Sequence, residues 1–405
     1  MAQPLVTPPE ETDRRIRLTH HLVELGDGHE VGISVGGQGV PLVFLHGLGL
    51  NRRAYLRMLS RAAGLGFLVI AVDAAGHGDT DNLPSNGGEL ADRVGLILRT
   101  LDALGIGRAV VAGHSMGGRM AIQLAASAPD RVLAAVLFDA AAGASLDDVI
   151  PALARSPRLA VQTIGLAAYD AQRDPSRLSG AEHRRYVRML ASVAMRNARQ
   201  PTGFTGAARA ILQSGDYTPL LHVMRDQQIP TIVVHGEKDL LVPFDSARDL
   251  AEDADATLYR VPGAYHSWMI ANPRQGADAL RQLLNGELGE ALRDAAAGLG
   301  VKDWRDAAAW DRVLIDSDAW IRELNGDQIE ELGDDEGEQV VMELVRRAQR
   351  PLPAPPMPWI RRTYRRWAGR RPVRLDQTHS QADGARWRSE TRPDAGALEP
   401  KPTLK

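Results

Sequence analysis

Apolar residues in this chain fall into short, nearly unbroken runs separated by stretches in which they recur every three or four positions. The runs at Pro41–Leu45, Gly66–Val72, Ala109–Ala112, Arg131–Phe138, Thr231–His235 and Thr257–Val261 have strand length and are rich in Val, Ile, Leu and Ala. Continuous apolar runs of that length are expected of strands buried on both faces of a parallel sheet. Helical spacing occupies Asn51–Ala63, Leu90–Leu104, Arg119–Ala128 and Gln275–Leu284. Ahead of them, Arg14–Glu24 and Glu30–Val35 flank Gly26-Asp27-Gly28 and predict an antiparallel hairpin. Strands alternating with helices give a parallel sheet covered on both faces, with ligands bound outside the C-terminal strand ends.

That rhythm stops between Ala144 and Arg225. The segment is helical in pattern, rich in Ala, Leu, Arg and Met, and broken at Pro157, Pro175 and Pro201-Thr202-Gly203. We read residues 144–225 as a helical cap inserted over the sheet edge, with 14–143 and 226–286 forming the core around it. Past Gly286, residues 287–350 read as an acidic helical extension. Residues 351–405 are Pro- and Arg-rich and expected to be largely disordered, as is the leader at 1–13.

Composition narrows the function only moderately. The 405 residues are 44% hydrophobic and 24% charged, with a formal net charge of −3, which argues against nucleic acid as a partner of the whole protein. Cysteine is absent, which removes disulfides, thiol nucleophiles and thiolate metal ligands and fits a reducing cytoplasm. No signal peptide is recognised at the N-terminus, and no apolar run is long enough to span a membrane. One basic stretch stands out. Trp359, Ile360, Tyr364 and Trp367 interleave with Arg361, Arg362, Arg365, Arg366, Arg370 and Arg371 in Trp359–Arg374, a candidate peripheral contact with an anionic membrane.

The candidate chemistry begins at Gly113-His114-Ser115-Met116-Gly117-Gly118, which joins the strand at Ala109 to the helix that follows. A serine with glycine two residues to either side, between a strand and a helix, is the pattern of a nucleophile elbow. A serine hydroxyl needs a base to take its proton and a third group to orient that base. Asp239 follows the strand Thr231–His235, and His266 follows the strand Thr257–Val261, giving the order Ser115, Asp239, His266. Asp139, after Val132–Phe138, is the alternative acid. Asp73 reads as a turn-capping carboxylate. No metal-ligand spacing, phosphate loop or dinucleotide fingerprint is evident, so neither metal nor cofactor is expected.

Together with His46-Gly47-Leu48-Gly49 and Asp73-Ala74-Ala75-Gly76-His77-Gly78, these segments resemble the α/β-hydrolase family over roughly Arg14–Leu284. The resemblance implies an α/β fold with a mostly parallel eight-stranded sheet and helices on both faces. It further implies Ser115 as nucleophile, His266 as general base and then acid, Asp239 as its partner, and the backbone N–H groups of Leu48 and Met116 as the oxyanion hole. Ala75 and Thr80 stand where relatives usually place arginine and serine. His46, His114 and Trp268 are candidate pocket residues. A serine nucleophile disfavours epoxide and haloalkane chemistry. The expected activity is hydrolysis of a small or medium apolar carboxylic ester. Carbon–carbon bond hydrolysis of ring-cleavage type uses the same triad but requires an arginine facing Ser115, for which Arg119 is the candidate. A non-catalytic ligand-binding protein on the same fold is the remaining alternative.

Overall fold

A computed structural model of the chain describes residues 14–84, 88–170, 172–174, 178–200, 202–324, 331–332, 339–349 and 386–389. The leader at 1–13 and the basic stretch Trp359–Arg374 lie outside these residues.

Eight strands make up the expected sheet: β1 (Thr19–Glu24), β2 (Glu30–Gly36), β3 (Val40–Leu45), β4 (Phe67–Val72), β5 (Ala109–His114), β6 (Val132–Phe138), β7 (Thr231–Gly236) and β8 (Thr257–Val261). Two short strands of the C-terminal region, β9 (Glu343–Arg346) and β10 (Arg386–Ser389), extend the edges, giving the order β9-β8-β7-β6-β5-β3-β4-β2-β1-β10. The six strands β4, β3, β5, β6, β7 and β8 run parallel. The hairpin β1–β2 and both added strands are antiparallel. Every residue of β3, β4, β5, β6 and β7 is buried. That explains their unbroken apolar composition: both pleat faces meet helices.

The helices form two layers. Leu56–Gly64 packs on Pro273–Asn285, which packs on Glu287–Leu299. A second series, Leu90–Ala103, Met116–Ser127, Thr218–Asp226 and Phe244–Asp253, packs each on the next. The interval 144–225 is helical, with its longest elements at Pro157–Asp170, Gly180–Asn197 and Gly203–Gln213. The helical expectation for 287–350 needs correcting at its end. After helices Glu287–Leu299, Ala307–Leu314 and Trp320–Leu324 the chain becomes extended, and Glu343–Arg346 pairs with β8. Cross-strand pairing of Glu343 with Arg260, together with Arg346 donating to the Ala256 carbonyl and Asp255, holds this exposed strand in place.

Candidate active site

Backbone crowding at the end of β5 dictates the glycines around Ser115. A Cβ on Gly113 would lie 2.2 Å from the Gly117 carbonyl oxygen, and one on Gly117 would lie 2.0 Å from that of Leu45. On Gly118 it would meet the Cβ of Ala140 at 2.5 Å. Close approach of β3, β5, the turn after β6 and the helix Met116–Ser127 therefore leaves no room for side chains at these three positions. Ser115 itself sits at φ 55°, ψ −117°, outside the ordinary regions for a residue with a side chain. Its N–H bonds the Phe138 carbonyl at 3.1 Å, fixing the turn to the end of β6. Between Ala109 and Ile122 Ser115 alone is not buried. Met116 opens the helix, so its N–H has no partner within it.

The loops after β7 and β8 meet beside this turn. His266 Nδ1 and Asp239 Oδ2 are 2.6 Å apart, while Asp239 Oδ1 accepts the N–H groups of Leu241 at 2.8 Å and Val242 at 2.9 Å. Both side chains are buried. Burial opposes ionisation of Asp239, but His266 and His235 overcome it and hold the carboxyl far below the usual range. Burial likewise opposes the His266 imidazolium, yet Asp239, with Asp139 and Asp170 further off, pushes its pKa up to about 9.

Asp139 lies behind this pair and does not replace it. Its oxygens accept the Gly236 N–H and the Trp268 Nε1–H, each at 2.8 Å, and burial pushes its pKa up to about 7. Asp139, His235 and Asp239 are close enough to hold a metal ion, but the four carboxylate oxygens already accept the N–H groups just named. His266 is therefore partnered by Asp239, while Asp139 anchors Trp268.

The three candidate pocket residues are all buried, and each spends its polar atoms on the protein. Trp268 is bonded to Asp139 as described. His46 Nε2 accepts the Ala74 N–H at 2.9 Å and its Nδ1 donates to the Gly47 carbonyl at 2.9 Å, while burial lowers its pKa to about 4. His114 is enclosed, with Nε2 2.9 Å from the His266 carbonyl and Nδ1 2.8 Å from the Tyr55 hydroxyl. A carbonyl can only accept, so the His114 proton is on Nε2 and Nδ1 accepts from Tyr55. Burial keeps this ring neutral, lowering its pKa to about 3. The Tyr55 oxygen in turn accepts the Gly47 N–H at 3.2 Å. A buried relay thus ties the His46–Gly49 loop to the carbonyl of His266, with the two imidazole rings 4.8 Å apart. Asp73 accepts the N–H groups of Arg52 and Asp79, the turn-capping role expected of it.

Arg119 does not face Ser115. Its guanidinium bonds Asp147 at 2.6 Å, the carbonyls of Ala141 and Gly215, and the Ser214 hydroxyl, and it lies over the Tyr217 ring. Sequence reasoning had no signal for this, since Asp147 and Tyr217 are remote from the elbow along the chain. The same insertion reaches the His46–Gly49 loop. Asn197 donates to the Gly49 carbonyl at 2.8 Å, and a Cβ on Gly49 would lie 3.3 Å from the Phe204 ring.

A strained serine at a strand-to-helix turn, with a His–Asp pair delivered by two later strands of one parallel sheet, is the arrangement of an α/β hydrolase. The family model for the alpha/beta hydrolase fold matches residues 40–273, and the chain belongs to that family. It is 42% identical over 269 residues to a non-heme haloperoxidase candidate of Mycobacterium phage D29, across 65% of this chain and 94% of the relative. It is 29% identical over 253 residues to a pimeloyl-[acyl-carrier protein] methyl ester esterase of Chromobacterium violaceum, across 61% and 95%. Among solved structures, the N-acyl homoserine lactone degrading enzyme Est816 superposes with a TM-score of 0.51 at 26% identity, over 64% of this chain and 98% of that one. The protein is an enzyme of the hydrolase class. Among the described residues, no helix is long and apolar enough to cross a membrane.

Proposed function

We propose that the chain is a serine hydrolase that cleaves a carboxylic ester of a small or medium apolar acid. The observation that carries this reading is the 2.6 Å bond between His266 Nδ1 and Asp239 Oδ2 beside the elbow at Ser115. With Asp239 accepting at Nδ1, the proton of neutral His266 resides there and Nε2 is free to act as base. The Ser115 oxygen attacks the acyl carbon while His266 takes its proton. The N–H groups of Leu48 and Met116 receive the developing oxyanion. His266 then protonates the departing alkoxide, leaving an acyl-enzyme, and water activated by the same imidazole releases the acid and restores Ser115. Residues 144–225 act as the cap that bounds the acyl pocket. Ester and lactone chemistry in the names of two relatives agrees with this assignment. Carbon–carbon hydrolysis is disfavoured because Arg119, the arginine it would require, is committed to Asp147.

The test is hydrolysis of p-nitrophenyl esters from acetate to palmitate by the wild type and by Ser115→Ala, together with labelling by a fluorophosphonate. Turnover and labelling that both vanish in the variant are expected, with the chain-length optimum sizing the pocket. A folded wild type that neither labels nor turns over any ester overturns the assignment. The phage relative's name then makes peroxide-dependent halide oxidation the next activity to assay.

A further inference from the structure

The insertion supplies side chains to the proposed catalytic loops as well as covering them. Asp170 ends the helix Pro157–Asp170, and its side chain is buried. One oxygen accepts the Leu240 N–H at 2.9 Å, next in the chain to Asp239, and the other accepts the N–H of His266 itself at 3.0 Å. A single carboxylate thus spans the loop after β7 and the loop after β8. Neighbouring groups extend the clamp. Asp174 Oδ1 accepts the Tyr265 N–H at 3.3 Å, and the Tyr186 side chain bonds that of Ser267. Three consecutive residues, 265–267, are each held from the insertion.

Building on the serine hydrolase reading above, we propose that Asp170 is a positioning residue, which sets the spacing of Asp239 and His266 and adds a further carboxylate near the imidazole. A buried carboxylate with a donor on each oxygen has a fixed orientation, so the two loops cannot separate without breaking a charge-assisted hydrogen bond. Burial raises the Asp170 carboxyl above its usual range, against the lowering effect of the Leu240 and His266 N–H groups and of the imidazolium; once ionised, it favours the imidazolium that forms when Ser115 is deprotonated. The groups facing His266 are Asp239, Asp139 and Asp170, with the neutral ring of His114 alongside and His235 beyond Asp239. Those facing Asp170 are Asp239, His266 and Tyr186. The insertion is therefore part of the machinery that assembles the proposed triad.

The experiment compares wild type, Asp170→Asn, Asp170→Ala and Asp174→Asn in the full chain. The His266 imidazole is titrated by its Cε1–H resonance, which needs no turnover, and fluorophosphonate inactivation and ester kinetics are measured alongside. Asparagine has one acceptor where aspartate has two, so it keeps one backbone bond and loses the charge. In Asp170→Asn the His266 pKa is expected to fall by about one unit. The pH-independent limits of inactivation and kcat, reached above the His266 pKa, should drop on the order of 10–100-fold while KM changes by less than about twofold. A His266 pKa within about 0.2 of wild type together with unchanged inactivation overturns the proposal, even if thermal stability falls, because that is the signature of a purely structural bond. If Asp170→Ala does not fold, Asp170→Asn carries the test. A wild type that hydrolyses no ester refutes the reaction class, and the titration still decides the role of Asp170.

Discussion

Asp239→Asn is the most informative substitution, because the structure fixes how the new amide must sit. Oδ1 of Asp239 accepts two backbone N–H groups, from Leu241 and Val242. An amide nitrogen cannot take that position, so the asparagine oxygen goes there and its NH2 faces His266 Nδ1. Nδ1 must then accept, which moves the imidazole proton to Nε2 and removes the lone pair that would deprotonate Ser115. The equivalent change in a protease triad costs about 10,000-fold in kcat, or about 5 kcal/mol of transition-state stabilisation. We expect a loss of that order here with KM little altered. The control is Asp139→Asn. Its oxygens serve Gly236 and Trp268, and asparagine can satisfy only one of them, so stability should fall by about 1–3 kcal/mol. Its kcat should stay within about tenfold, since Asp139 bonds no proposed reacting group. The assay is p-nitrophenyl butyrate kinetics across pH, with circular dichroism and urea denaturation as fold controls. Asp239→Asn retaining activity within tenfold of wild type, or Asp139→Asn losing as much, would refute the assignment of the acid.

Gly117→Ala places a Cβ 2.0 Å from the Leu45 carbonyl oxygen and should cost about 3 kcal/mol or more by urea denaturation. Gly298→Ala, in the helix Glu287–Leu299 with nothing within 4 Å of the new atom, should stabilise by up to about 1 kcal/mol. Arg119→Met leaves Asp147 buried without its ion-pair partner and should cost about 3–5 kcal/mol. Arg99→Ala breaks only the exposed pair with Asp27, so the same denaturation assay should register less than about 1 kcal/mol. The imidazole of His266 is raised from 6.5 to about 9. Its contribution to stability is therefore full below pH 6.5 and lost as pH rises through about 9. Activity should move the other way, rising over that interval as neutral imidazole becomes available, and Tm and kcat/KM from pH 5 to 10 would show the crossing.

The parallel strands were legible because burial on both faces leaves little but Val, Ile, Leu and Ala, and that pattern placed β8 at the residues the structure shows. The elbow was legible for a related reason, since glycines at 113, 117 and 118 record backbone contacts that exclude side chains. What could not be read were partnerships made across long sequence distances by ordinary polar residues. Asp170 is an aspartate at the end of a helix, which reads as solvated, and its bonds to Leu240 and His266 follow only from where the insertion lands. Tyr55 and His114 likewise carry no local sign of the relay that joins them. Glu343–Arg346 escaped because a four-residue edge strand with mostly exposed side chains has no buried alternation to reveal it.

That last strand bears on how the chain comes off the ribosome. β9 covers the outer edge of β8, and β8 leads within a few residues to His266. An uncovered edge offers a row of N–H and C=O groups that recruits strands from other molecules. Until residue 346 has emerged and docked, a nascent chain carries an adhesive border next to its proposed catalytic base.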